Sequence, residues 1–125
     1  GIYDEKEIYS YHIEGTGKNI IPDNVAFELI DKFVKVTDKD SAIRARELAL
    51  MDGIMAGYSS GAGIQALFQM KDELGPHDVV VLIFPDHGYK YLGKVFNDEW
   101  MMKQGFLPEV SAEEGVPVPT PSFSH

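Results

Sequence analysis

Six consecutive apolar residues, Val79-Val80-Val81-Leu82-Ile83-Phe84, stand between two sets of turn signals, Leu74-Gly75-Pro76 and Pro85-Asp86-His87-Gly88. An apolar run of this length without alternation predicts a central strand covered on both faces. Such a strand sits inside a layered α/β arrangement, so the remaining segments are read for the strands and helices that would surround it.

Residues Glu7 to Glu14 alternate, with Tyr9, Tyr11 and Ile13 on one face, and predict a half-buried strand running into the turn Gly15-Thr16-Gly17. Asp23-Asn24 open a short helical turn from Val25 to Leu29, and Phe33–Val36 predicts a second strand. Thr37 has the character of an N-cap, with Asp40 three residues on. From Asp38 to Asp52 the residues Ala42, Ala45, Leu48, Ala49 and Asp52 share one stripe, which predicts a helix packed closely on a sheet and ended by Gly53. Ile54–Ala56 then reads as a short buried strand, Gly57 as a turn, and Ser59-Ser60-Gly61 as the opening of a helix through Ala62, Ala66, Phe68 and Met70. Beyond the apolar run, Tyr89–Phe96 predicts a helix, and Asn97-Asp98-Glu99 opens another through Trp100, Met101 and Met102 to Gly105.

The order of elements predicts an α/β fold, part of a three-layer, mainly parallel sheet with helices on both faces. Three or four strands are few for a free-standing doubly wound domain, and the chain opens on Gly1 rather than Met. We therefore expect an incomplete domain cut from a longer protein. Four of the seven prolines (Pro108, Pro117, Pro119, Pro121) lie in the last eighteen residues, so residues 107–125 read as a linker or tail.

Composition removes several classes of function. The formal net charge is −9 and the basic residues are scattered, which argues against a nucleic-acid partner. No apolar run approaches the ~20 residues of a membrane span. With no Cys there is neither a disulfide framework nor a thiolate metal site, which fits the cytosol.

Among candidate sites, Ser59 has first place. A strand that feeds a helix through glycine and serine leaves a hydroxyl and free backbone N–H groups at the helix mouth, where open α/β sheets bind ligands. The plain alternative is that Ser59 only caps its helix, or that Ser60 caps it and leaves Ser59 pointing outward. Gly15-Thr16-Gly17 is two thirds of a dinucleotide fingerprint, but the third glycine is missing, and a structural turn explains it as well. His12, His77, His87 and His125 have no metal-ligand spacing. Gly57-Tyr58-Ser59-Ser60-Gly61 matches a nucleophile-elbow pattern. However, consecutive residues such as Asp86 and His87 do not act in series on one serine, so neither a metal site nor a hydrolase triad is expected.

These residues together resemble a known family. Glu14-Gly15-Thr16-Gly17 with Pro22 is similar to a loop of the pyridoxal-phosphate enzymes that make cysteine and cystathionine, a fold type II family. Ala45-Arg46-Glu47-Leu48-Ala49, Gly57-Tyr58-Ser59-Ser60-Gly61-Ala62, and Phe84-Pro85-Asp86 with Tyr91-Leu92 resemble its following blocks, in order and at its spacing. Lys94–Met101 and Gly105-Phe106 look like the cystathionine β-synthase branch. Two positions depart from the pattern: Lys90 where Arg is frequent, and Lys18 where that branch can carry Tyr.

The resemblance implies that residues 1–106 are the carboxyl-terminal part of a catalytic domain. The family's Schiff-base lysine and phosphate cradle match nothing here, so no catalytic residue is carried over, and the chain by itself is expected to be inactive. Ser59 would be the partner of the pyridine nitrogen, and Gly15 would lie on the substrate-side loop. The parent would be a cytoplasmic homodimer using pyridoxal phosphate to condense serine, or an activated serine, with homocysteine. The alternatives are a cysteine synthase acting on O-acetylserine and sulfide, or a non-catalytic α/β piece without cofactor.

Overall fold

The computed structural model describes residues 10–16 and 21–108. Two helices, α1 (Asp38–Asp52) and α2 (Tyr58–Met70), lie side by side, and a shorter helix, α3 (Asp98–Lys103), follows later in the chain. The predicted ends of α1 are present. Thr37 Oγ1 accepts the Asp40 N–H at 3.1 Å and donates to the Asp40 carboxylate at 2.7 Å, while Gly53 adopts φ 69° at the other end. α3 is capped by Asn97, whose side chain accepts the Trp100 N–H at 2.8 Å, and Gly105 with φ 71° lies just past its end.

The small residues of α1 were expected to lie on a sheet. Among the described residues they receive α2 instead. Ser41, Ala42 and Ala45 are fully buried, and a Cβ on Gly61 of α2 would fall 1.9 Å from the Ser41 carbonyl oxygen and 2.9 Å from the Ala45 nitrogen. Glycine at this point lets the two backbones approach closely.

Tyr58, Tyr91, Val95 and Met101 are buried beside this contact, with Trp100 edge-on to Tyr58 at 6.5 Å. Arg46 ties α1 to the approach to α3, donating to the Val95 carbonyl at 3.0 Å and pairing with Asp98 at 2.5 Å.

The sheet is where expectation and structure part. Among the described residues there is no strand. The segments 33–36 and 79–84 make no ladder, and Ala56 makes only an isolated bridge to His87. That bridge is antiparallel, through Gly57 N–H to the Asp86 carbonyl at 2.9 Å and Gly88 N–H to the Met55 carbonyl at 2.8 Å. Rather than being covered on both faces, the apolar run leaves Val79, Val81 and Ile83 at 90%, 81% and 82% exposure. An apolar run reports what a segment needs; a ladder also requires a second segment alongside, and the described residues do not provide one.

Residues 7–9 of the first expected strand, and the tail from residue 109, lie outside the described residues. The described part of that first strand, 10–14, carries no ladder, and Ile13 is buried while Tyr11 is exposed. The helix expected over Tyr89–Phe96 is a 3₁₀ turn, Gly88–Tyr91, followed by tight turns. The Tyr91 carbonyl accepts both Lys94 N–H (3.0 Å) and Phe96 N–H (3.1 Å), so the chain curls round that oxygen instead of propagating a helix through Gly93. The short turn after Asp23-Asn24 is also 3₁₀, at Phe27–Leu29.

Candidate functional site

α2 begins at Tyr58, its N-cap residue is Gly57 with φ −73° and ψ 176°, and no side chain caps it. Both capping readings therefore fall: Ser59 and Ser60 stand inside the first turn, past the position from which a serine oxygen reaches back to the free N–H groups. The two serines have different surroundings. Ser60 is completely buried and its Oγ has no hydrogen-bond partner. Ser59 lines a cleft of about 430 Å³ whose other walls are Glu14, Gly15, Thr16, Ile83, Pro85 and Asp86. Its hydroxyl makes no hydrogen bond with a described residue.

The Glu14–Thr16 wall is held from two directions. The Asp38 carboxylate at the start of α1 accepts the His12 N–H at 2.7 Å and the Ile13 N–H at 3.4 Å, and Lys94 pairs with Glu14. Gly15 has φ +88°, and a Cβ there would meet nothing within 4 Å, so glycine is required for the turn and not for space. Gly17 lies outside the described residues.

The opposite wall carries Asp86. Its Oδ2 accepts the Tyr91 hydroxyl at 2.8 Å and lies 3.4 Å from Lys90 Nζ, while Oδ1 is buried without a partner. His87 turns elsewhere: its Nδ1 accepts the Tyr89 N–H at 3.0 Å. Asp86 and His87 thus serve separate partners, and the hydrolase arrangement does not form. Among the described residues no group of three or more His, Asp or Glu is placed to hold a metal ion.

Burial, and next the hydrogen bond to Asp86, push the Tyr91 phenol above its ordinary range; burial, then the charge of Asp38, do the same for Tyr58. Both remain proton donors at any physiological pH.

Sequence reasoning picked out Ser59 and Gly15, and the structure puts them on one cleft with Asp86. It did not find the Asp86–Tyr91 contact. The Pro85-Asp86 turn at the end of an apolar run was the available signal, but the partner depends on a 3₁₀ turn that the sequence did not reveal.

Residues 1–86 match the family described as "Pyridoxal-phosphate dependent enzyme". The chain belongs to that family. Among its relatives are three cystathionine beta-synthases: from Saccharomyces cerevisiae, 38% identical over 100 residues (78% of this chain, 20% of the relative); from Apis mellifera, 34% over 110 (88% and 22%); and from Oryctolagus cuniculus, 32% over 105 (84% and 19%). The chain thus spans about a fifth of the length of the curated relatives it matches.

Two solved structures are also similar. One is a hydrogen sulfide-producing enzyme complexed with an alpha-aminoacrylate intermediate (TM-score 0.64, 31% identity, 86% of this chain and 29% of that one). The other is an O-ureido-L-serine synthase with O-ureido-L-serine bound (TM-score 0.65, 25% identity, 76% and 32%).

The cleft fits one end of this cofactor better than the other. It offers a neutral hydroxyl on the first turn of a 13-residue helix. Among the described residues no cation lines it, and two carboxylates do, Glu14 and Asp86, each paired with a lysine. Among the described lining residues a phosphate finds no cationic side chain, whereas an uncharged ring edge with a nitrogen acceptor finds a hydroxyl that can donate to it.

Proposed function

We propose that this chain forms the ring-nitrogen wall of a pyridoxal-phosphate β-replacement enzyme that joins serine, or an activated serine, to homocysteine to give cystathionine. The observation that carries this reading is Ser59, a hydroxyl in the first turn of α2 with no hydrogen bond to a described residue, on a cleft shared with Gly15 and Asp86. Three cystathionine beta-synthase relatives over most of the chain support the choice of reaction.

When bound, pyridoxal phosphate supplies the electron sink that lets a β-substituent leave an amino acid and a thiol take its place. Ser59 Oγ would hold the ring nitrogen without offering it a charge. The positive end of α2 would disfavour a protonated nitrogen there and so keep the sink weak. A weak sink suits replacement at the β-carbon and limits transamination. The loop at Gly15 lines the side on which the amino-acid substrate enters. Residues 1–106 form the carboxyl-terminal part of the catalytic domain, residues 107–125 a Pro-rich linker or tail, and the parent is a cytoplasmic homodimer. The chain by itself is inactive, because the lysine that carries the cofactor is not among its residues.

The second reading is a cysteine synthase acting on O-acetylserine and sulfide; it stays in view because the two structural neighbours, a hydrogen sulfide-producing enzyme and an O-ureido-L-serine synthase, are not named for cystathionine formation. Product analysis of the full-length protein with homocysteine or sulfide as the thiol separates the two. In the same protein Ser59→Asp should slow β-replacement and raise transamination side products. Unchanged partitioning would overturn the placement of Ser59.

A further inference from the structure

The turn that presents Ser59 is built under a side chain from another part of the molecule. A Cβ added to Gly57 would lie 1.7 Å from Asp86 Oδ1, 2.7 Å from its carboxyl carbon and 3.0 Å from the Tyr91 ring. The space that any other residue at 57 would fill is already occupied by the Asp86 carboxylate. That carboxylate is fixed in turn: Tyr91 donates to Oδ2 at 2.8 Å, Lys90 approaches the same oxygen at 3.4 Å, and the Asp86 carbonyl takes the Gly57 N–H at 2.9 Å. The Tyr91 ring also stacks edge-on against Tyr58, the residue between Gly57 and Ser59, at 6.3 Å and 78°.

One cost stands out in this arrangement. Asp86 Oδ1 is shut away from water with no donor, in a fold where a buried carboxylate oxygen ordinarily finds one. Packing alone would be served by an apolar side chain of similar size. A negative oxygen held at the opening of α2, on the wall of the cleft that Ser59 lines, does more: it complements the helix end and fixes the turn without using up the Ser59 hydroxyl.

We propose that Asp86, clamped by Tyr91, is a positioning residue for Ser59: its carboxylate sits over Gly57 and sets where the Ser59 hydroxyl stands in the cleft. This rests on the reading that Ser59 meets the cofactor ring, which the experiment tests separately.

The test uses the full-length protein and titrates pyridoxal phosphate, following cofactor fluorescence, the pH dependence of the visible band, and thermal melting. Asp86→Ala should weaken cofactor retention about tenfold, the loss of one well-placed hydrogen bond, and alter the band. Gly57→Ala should be worse, since its methyl collides with Oδ1. In Gly57→Ala with Asp86→Ala the collision is gone, and retention should return to within about threefold of Asp86→Ala alone, the non-additivity expected of two groups in contact. If Gly57→Ala does not fold, Tyr91→Phe carries the test, because it releases the clamp with little change of shape. It should move the band in the direction of Asp86→Ala.

The proposal is overturned if Gly57→Ala is equally damaging with and without Asp86. It is also overturned if Asp86→Ala or Tyr91→Phe lowers the melting temperature while the band and retention stay as in the parent. Ser59→Ala in the same titration guards the underlying reading. If it shifts the band and Asp86→Ala does not, only the positioning role falls. If it shifts nothing, the cofactor-facing role of Ser59 falls, and this inference with it.

Discussion

The hydroxyl of Tyr58 donates to the main-chain carbonyl of Asp38 at 2.9 Å, joining the first turn of α2 to the first turn of α1. Asp38 meanwhile uses its carboxylate to hold the N–H groups of His12 and Ile13. One residue thus anchors both the helix that carries Ser59 and the loop that carries Gly15. Tyr58→Phe should cost about 1 kcal/mol in denaturant unfolding, the usual net value of a buried hydrogen bond.

The same phenol, with Tyr91, makes an alkaline prediction. Both are held above the ordinary tyrosine value of 10.0, so the folded protein keeps their protons more tightly than the unfolded chain does. Their contribution is complete below pH about 10 and is lost progressively above it. Unfolding followed from pH 8 to 12 should show this decline, and Tyr58→Phe with Tyr91→Phe should flatten it.

Two glycines of α2 should respond in opposite directions. Gly61→Ala drives a methyl into the Ser41 carbonyl and the Ala45 backbone, neither of which moves without separating the helices. A loss of about 2–4 kcal/mol is expected. Gly63→Ala meets nothing within 4 Å and should gain about 0.5–1 kcal/mol from helix propensity. Thermal melts of the pair check both signs.

Lys94 and Glu14 are both half exposed, so their ion pair should add little to global stability, at most about 1 kcal/mol. Its effect should be local. Lys94→Ala is expected to leave the melting temperature nearly unchanged while amide exchange at Gly15 and Thr16 becomes faster, and added salt should mimic the variant.

What the sequence revealed was mostly local. Thr37 and Gly53 bracket α1, and Asn97 and Gly105 bracket α3, because caps act within one turn of the residues that encode them. The segments 33–36 and 79–84 were read as strands of a sheet, and among the described residues they form none, since pairing depends on a second segment that local sequence does not specify. In the cleft, Ser59 was singled out by its place at a helix mouth and Gly15 by its turn, and the family resemblance supplied the role expected of each. Ile83 was assigned only to a strand, and Asp86 was weighed beside His87 when its partner is Tyr91. That contact depends on the 3₁₀ turn Gly88–Tyr91, where a helix had been expected.

The exposed branched side chains of Val79, Val81 and Ile83 have a practical consequence. Among the described residues their main chain has no ladder partner, and an unpaired segment beside an oily face is the combination that invites indiscriminate self-adhesion. Handling this polypeptide in isolation therefore becomes a contest between folding and clumping, decided by dilution and by how soon something suitable shields that edge.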